Sequence, residues 1–399
     1  MKTKTTKKTD PKMTQTAIVD AGKSLAAAFY ERDTEIRLLL VAALARENVC
    51  LLGRAGVAKS ALVRGFASLL GGAKVFETLL TKFSVPEQVV GALKLSALEN
   101  DRYERNTENT VLDCDLAFID EIFKSNSAVL NTLLPIMNEG IFHNGGATAM
   151  KLPIKCLIGA SNEMPEDEGL GALWDRFLLR CEVEPLQLDA NRAALLKRAA
   201  TGASVPAVAA ALTLDQWSDA CDAVGSVAVP DAVIELVCAL RRELERDGIT
   251  FGDRRWVKCV RLLQASAYLS GADAVDEEHV DILEHALWST REDRAKISAI
   301  VAKIASPHVA EASELADAAL LQAAELMKAS EKDGVDADAV YRAMTVLRTA
   351  GVKIGKSAEQ LREGSRQREK LEAMRATLRD AFARAKSIIE KLHAIEGDA

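Results

Sequence analysis

Three short apolar runs frame the first half of the chain: residues 49–52 (VCLL), 116–119 (LAFI) and 156–161 (CLIGAS). Each is too short for a helix and stops at a glycine, a carboxylate or an asparagine, which predicts buried strands. Between them apolar positions recur every three or four residues, as on amphipathic helices. The region after residue 188 reads as all-helical, and no alternating strand pattern is found between residues 305 and 399. Gly334 and Gly351 are expected to separate helices there, one of them spanning Asp336 to Thr349. From Ser357 to His393 a three-four seam runs through positions 371, 374, 378, 381, 385, 388 and 392. It predicts a long helix packed on helices of its own chain, with an intermolecular coiled coil as the alternative. The expectation is an α/β domain followed by helical ones, since 399 residues exceed one ordinary domain.

Composition narrows the classes. Apolar residues at 49% and charged residues at 27% are those of a globular protein with buried cores. A net charge of −7 gives no global attraction to nucleic acid, so a nucleic-acid partner is not expected. The seven cysteines form no CxxC pair and read as buried free thiols. The five histidines include no tight ligand cluster; His279 and His285, six apart, do not share a helix face. No apolar run reaches membrane-spanning length, and a cytoplasmic location is expected. Residues 1–16, rich in Lys and Thr, are expected to form a disordered tail.

The first strand is followed by Gly53-Arg54-Ala55-Gly56-Val57-Ala58-Lys59-Ser60, after which a helical pattern resumes at Ala61. Strand, glycine-rich loop and helix are the context of a phosphate-binding loop. Backbone N–H groups wrap the phosphates, Lys59 reaches the β/γ oxygens, and the Ser60 hydroxyl ligates Mg²⁺. Ala58 stands where the standard pattern has its last glycine, and a methyl is tolerable there if φ is negative. About sixty residues on, the second strand ends in Asp120-Glu121: the first carboxylate suits the metal shell, the second the activation of water. The third strand ends at Asn162, whose amide can bond both a γ-phosphate and the attacking water. Arg176 closes a helix with no obvious local partner, which suits either an arginine finger or an ordinary surface arginine. Arg254, with Arg255 in reserve, opens a later helix and is the candidate for a lid arginine that touches the nucleotide of its own subunit.

The order of these elements resembles the AAA+ superfamily, and the wording resembles its MoxR family, most closely the RavA (regulatory ATPase variant A) branch. The resemblance covers roughly residues 20 to 300. It rests on Phe29-Tyr30-Glu31-Arg32, the Ala58-Lys59-Ser60 ending, Thr81 to Glu87, Arg102 to Arg105, Ile119 to Lys124, Leu130 to Leu134, Ala160 to Pro165 and Asp253 to Trp256. It implies that alanine is normal at position 58. It further implies a P-loop AAA+ αβα nucleotide-binding domain (17–188), an all-helical lid (189–300) and an α-helical C-terminal domain (301–399). By the same analogy ATP and Mg²⁺ are the ligands, Tyr30 and Glu31 lie near the adenine, and the chain forms a ring, expected as a hexamer. The ring would remodel a protein client, chaperone-like, beside a partner with a von Willebrand factor A domain. Two insertions mark the family: 81–105, toward the pore face, and a hairpin at 140–146, where a plain connecting loop is the alternative. A nucleotide-gated adaptor with little turnover, and a nucleic-acid motor, are the rival functions.

Overall fold

The computed structural model describes residues 11–144, 149–165, 168–203, 208–209, 212–331, 336–361, 363 and 365–397. The chain divides into two compact units: residues 1–230 with 251–275, and residues 231–250 with 276–399.

The first unit opens with α1 (Pro11–Ala28) and α2 (Asp33–Ala45). The helix thus begins inside the segment expected as a tail, with Thr14 buried; residues 1–10 lie outside the described residues. Apolar residues surround α2 on every side, so it is buried from Leu38 to Ala45. It feeds β1 (Val49–Leu52) and then α3 (Lys59–Ser68), β2 (Leu70–Gly71) and β3 (Val75–Leu79). Next come α4 (Glu87–Val90), α5 (Leu95–Leu98), β4 (Leu116–Asp120), α6 (Ser127–Glu139) and a hairpin of β5 (Ile141–Phe142) with β6 (Met150–Lys151). The hairpin pairs Ile141 with Lys151 and Phe142 with Met150; Gly145 and Gly146 at its expected tip lie outside the described residues. Then follow β7 (Cys156–Ser161), α7 (Glu168–Arg176), β8 (Leu179–Glu182), α8 (Asp189–Ala200), β9 (Leu212–Thr213) and α9 (Leu214–Val224). After α10 (Asp231–Arg246), which belongs to the second unit, α11 (Asp253–Leu269) returns to the first.

Five strands form one parallel sheet in the order β3-β4-β7-β1-β8. Its strands read as unbroken apolar runs because helices cover both faces of such sheets. Trp217 packs edge-on to Phe66, and Phe123 edge-on to Trp174 and Phe177. α11 packs with this unit through Lys258–Glu47 at 2.5 Å and Arg37 Nη2 to Ser266 Oγ at 3.0 Å. The expected lid, 189–300, therefore does not coincide with the contact division, which keeps α8, α9 and α11 with the sheet.

The second unit is helical: α10, a 3-10 segment at Glu277–His285, α12 (Arg291–Ala305), α13 (Pro307–Glu331), α14 (Ala337–Glu359) and α15 (Arg366–Gly397). The seam predicted on α15 is used within the chain, with Leu371, Leu378 and Ala385 buried against α13 and α14. The seam is thus committed to contacts within the chain through Ala385, and the side chain at 392 lies outside the described residues. Gly351 does not end a helix; it lies inside α14. Gly334 is outside the described residues. Six cysteines are buried as expected, but Cys238 on α10 is exposed. Burial pushes the thiols of Cys50, Cys114 and Cys259 up to about 12, so they stay protonated and inert. Among the described residues no helix is long and apolar enough to cross a membrane, and no cluster of potential metal ligands of the His/Cys/Asp/Glu type occurs.

Asn48, just before β1, is a buried polar hub. Its Nδ2 donates to the carbonyls of Met137 (3.1 Å) and Arg176 (3.3 Å), and its Oδ1 accepts from Leu157 N at 3.1 Å. One side chain thereby ties α6, α7, β1 and β7 at the entry end of the sheet. Asn48→Ala strands three backbone groups and should cost about 2–4 kcal/mol, read as a lower urea midpoint with an unchanged slope; an unaltered midpoint would mean that water replaces the amide.

Candidate functional site

Because β1, β7 and β4 are adjacent and parallel, their carboxyl ends open on one edge, about 4.8 Å apart from strand to strand. The phosphate loop leaves β1 there, Asp120 ends β4, and Asn162 follows β7. Gly53 starts the loop with its N–H on Ser161 O at 3.0 Å; a Cβ at this position would collide with the carbonyl of Val183, the residue that follows β8, so the neighbouring chain segment itself demands glycine. Gly56 follows at φ +87°.

Ala58 has φ +68°, in the left-handed region. The condition set for a methyl, negative φ, is not met: alanine occupies the glycine conformation and carries its strain. That conformation turns the loop into the first turn of α3, at Lys59. Glu121 is also left-handed, at φ +52°, which the sequence did not signal. Two strained non-glycine residues at one edge fit a site whose geometry is imposed by the sheet.

The side chains form a continuous chain of bonds. Ser60 Oγ donates to Asp120 Oδ2 at 3.0 Å, and Glu121 N donates to Asp120 Oδ1 at 3.0 Å. Asn162 Nδ2 donates to Glu121 Oε1 at 2.5 Å, and Lys59 Nζ donates to Asn162 Oδ1 at 2.9 Å. Lys59 also donates to the carbonyls of Gly53 and, at 3.3 Å, Arg54. Burial draws Lys59 below its ordinary pKa, while the charges of Asp120 and Glu121 act in the opposite sense. The second oxygen of Glu121 makes an ion pair with Lys124 at 3.3 Å but no hydrogen bond. The residues present fit a nucleotide with Mg²⁺: a hydroxyl and a carboxylate in contact are hard oxygen donors, and the positive-φ loop directs N–H groups toward an anion.

Beside the loop lies a cavity of about 390 Å³, lined by Tyr30, residues 54–58, Leu186 and Arg198 among others. This is ample for a nucleoside. Arg198 stacks on the Tyr30 ring at 4.8 Å and donates to its hydroxyl at 2.9 Å, a contact to which no sequence signal pointed. Glu31 does not line the cavity. Its carboxylate accepts from Gln187 N (2.6 Å), Leu188 N (3.0 Å) and Asn191 Nδ2 (2.8 Å), bonds that hold its pKa below the ordinary value. Glu31 thereby fixes the segment that carries Leu186 at the edge of the cavity.

The arginines lie elsewhere. Arg176 ends α7 next to the entry of β8, at the sheet end opposite the phosphate loop, and β1 alone separates the ends by about 13 Å. Its Nε is buried with no hydrogen-bond partner among the described residues, and its guanidinium makes an ion pair with Asp175 at 3.8 Å. Arg255 is buried at the same end and clamps Asp175 Oδ1 at 2.8 Å and the carbonyls of Phe177 and Leu178 at 3.4 Å. Arg254 contributes to the field at Glu47, just ahead of β1, whose carboxyl burial pushes up while Lys258, Arg254 and Arg255 pull it down. The structure thus does not bring Arg254 or Arg255 to the phosphate loop of their own chain, because α11 packs against α2 and the entry side of β1.

Residues 16–213 match the model for the MoxR domain in MoxR-vWA-beta-propeller ternary systems, and residues 232–301 match an AAA lid domain. The chain is 36% identical over 285 residues to the uncharacterized protein MJ0812 of Methanocaldococcus jannaschii, covering 71% of this chain and 74% of that one. It is 31% identical over 157 residues to chaperone MoxR1 of Mycobacterium tuberculosis, covering 38% and 40% of the two chains. A solved structure from Cytophaga hutchinsonii superposes with a TM-score of 0.59 at 17% identity, covering 74% of this chain and 96% of that one, which shows a shared fold. A parallel sheet with a phosphate loop and a helical lid defines the AAA+ class. Within it, this chain belongs to the MoxR family.

Left-handed alanine costs about 1–2 kcal/mol, whereas glycine loses about 0.5–1 kcal/mol of chain entropy; the first exceeds the second. Ala58→Gly should therefore stabilise the chain by about 0.5–1 kcal/mol, seen as a higher Tm by calorimetry. A lower Tm would show that the loop holds alanine without strain.

Proposed function

We propose that the chain is a ring-forming ATPase that couples hydrolysis to chaperone-like remodelling of a protein client. The hydrogen-bonded chain Ser60–Asp120–Glu121–Asn162–Lys59 carries this reading. Lys59 and the loop N–H groups hold the ATP phosphates, with Gly53 to Ala61 as the cradle and Tyr30 against the base. Ser60 and Asp120 would hold Mg²⁺, which when bound neutralises phosphate charge and orients the oxygens. Glu121, held by Asn162, accepts a proton from the attacking water, and Asn162 positions that water. Once phosphate takes Lys59, the Asn162 amide oxygen is released to the water.

The placement of Arg176 supports a shared site. A guanidinium at the far end of the sheet cannot meet its own γ-phosphate without refolding β8, but in a ring it reaches the neighbour's. Arg254, at the same end, is assigned to that neighbour's site rather than to its own, and Arg255 to bracing Asp175 beside Arg176. Ring closure, with six copies by family analogy, follows from the same argument.

Client contact is assigned to the two insertions, which are joined: Arg105 Nε donates to Asn144 Oδ1 at 3.2 Å, and Asn144 Nδ2 to Tyr103 O at 2.7 Å. Phe83, 91% exposed, and Leu95, 78% exposed, give that surface its apolar character. The matched ternary-system model supports a partner with a von Willebrand factor A domain, and the likeness to MoxR1 supports a chaperone role. The RavA-like branch remains part of this proposal on the shared strings alone, as does a cytoplasmic location.

Hydrolysis per subunit across a protein dilution series tests the mechanism. Specific activity should rise with concentration, and both Glu121→Gln and Arg176→Ala should lower it by about 10²-fold or more while ATP binding persists. Wild-type turnover no higher than that of Glu121→Gln at every concentration, with partner added, would instead make the chain a nucleotide-gated adaptor.

A further inference from the structure

Gly351 sits in the middle of α14, where glycine is among the poorest helix formers. Its φ is not left-handed, and a Cβ built on it would meet nothing within 4 Å. Neither backbone conformation nor close packing asks for glycine here. What its missing side chain creates is a notch. The notch opens into a cavity of about 240 Å³ between α14 and α15, floored by Leu347, Leu378 and Phe382 with Val352 at its edge. Val352 is 52% exposed, whereas Leu347 and Leu378 are buried. The volume falls below the range of small-molecule sites, about 300–1,000 Å³, and suits a large side chain or two.

Three arginines rim the notch: Arg348 on α14, Arg375 and Arg379 on α15. None has an ion-pair partner among the described residues. Glu372, the one acid on α15 at helical spacing from Arg375, is bonded to Arg368 at 3.1 Å. Arg375 and Arg379 are themselves one turn apart, a like-charge pair that opposes the helix. The guanidinium of Arg375 lies over Gly355, 3.0 Å from where a Cβ would stand, so a second glycine one turn from the notch seats it there. In a chain of net charge −7, a concentrated unpaired positive rim around an apolar floor is complementary to an acidic ligand with an apolar knob.

We infer that the α14–α15 groove at Gly351 is a docking site for an acidic, amphipathic peptide segment of a partner protein, with one large apolar side chain seated in the notch between Arg348, Arg375 and Arg379. The carbon-rich floor favours a peptide over a nucleic-acid backbone, and the inference stands apart from the ATPase reading.

The test titrates the full chain into fluorescent helical peptides of about fourteen residues, four turns. They carry a central Leu, Phe or Trp flanked by glutamates; a lysine-for-glutamate set and a single-stranded oligonucleotide of similar length serve as controls. At least one acidic peptide should bind saturably and more weakly at high salt, and about tenfold or more weakly to Arg375→Gln/Arg379→Gln. Gly351→Leu should abolish binding while leaving Tm unchanged or raised, since leucine is the better helix former. No saturable binding by any acidic peptide, equal binding to Gly351→Leu, or equal binding of the lysine set or the oligonucleotide would overturn the inference.

Discussion

Everything at the phosphate edge depends on Asn162 standing between two opposite charges. Its amide is the uncharged link between the ammonium of Lys59 and the carboxylate of Glu121. It accepts from Lys59 and donates to Glu121, so the two groups are held near each other without forming a direct ion pair. A direct pair would occupy both charges and leave neither for a phosphate or a water. The arrangement is possible because β7 lies between β4 and β1 in the sheet, which places an asparagine after its last residue midway between the loop and the carboxylates.

The two ends of the sheet are specialised in opposite ways. At the carboxyl end the backbone is strained at Ala58 and Glu121, and the polar side chains bond to one another across three elements. At the entry end they are satisfied internally: Asn48 closes three backbone bonds, Lys258 pairs with Glu47, and Arg255 braces Asp175. Arg176 departs from this, with a buried Nε that has no hydrogen-bond partner beside neighbours that are firmly tied. Arg255 braces Asp175, Phe177 and Leu178 while the guanidinium of Arg176 keeps a loose 3.8 Å ion pair to Asp175, which fixes its direction at little cost to its availability. In the proposed ring, that is what a residue acting on the next subunit requires.

Much of this was legible in the sequence, for identifiable reasons. Strand ends, glycine loop and carboxylates are local signals, and the parallel sheet then gathers them. The α15 seam was legible because its period is local too. What escaped depends on long-range packing. The bonds of Glu31, to partners 156 to 160 positions away, have no signal in its sequence neighbourhood. Arg254 and Arg255 belong to a helix whose docking side is decided by α2 and Glu47, which no periodicity in α11 could announce. Gly351 was misread as a break because glycine's role as a breaker and as an absent side chain look alike in sequence.

The strain at Ala58 and Glu121 bears on how the site would use its ligand. A left-handed residue costs about 1–2 kcal/mol, and a buried ammonium held by carbonyl oxygens alone is under-compensated, which is why Lys59 is drawn below its ordinary pKa. Both costs are set against an anion: phosphate supplies the missing counter-charge to Lys59 and bonds to the N–H groups that the left-handed turn exposes. In the proposed cycle the strands and loop fix the shape of the site, phosphate completes its electrostatics, and the differential contact that drives a conformational step resides in the γ-phosphate. Loss of that phosphate returns Lys59 to the Asn162 amide oxygen while the Asn162 amide nitrogen keeps its bond to Glu121, so in that cycle a change of one charge is felt along the side-chain links from α3 to the end of β4.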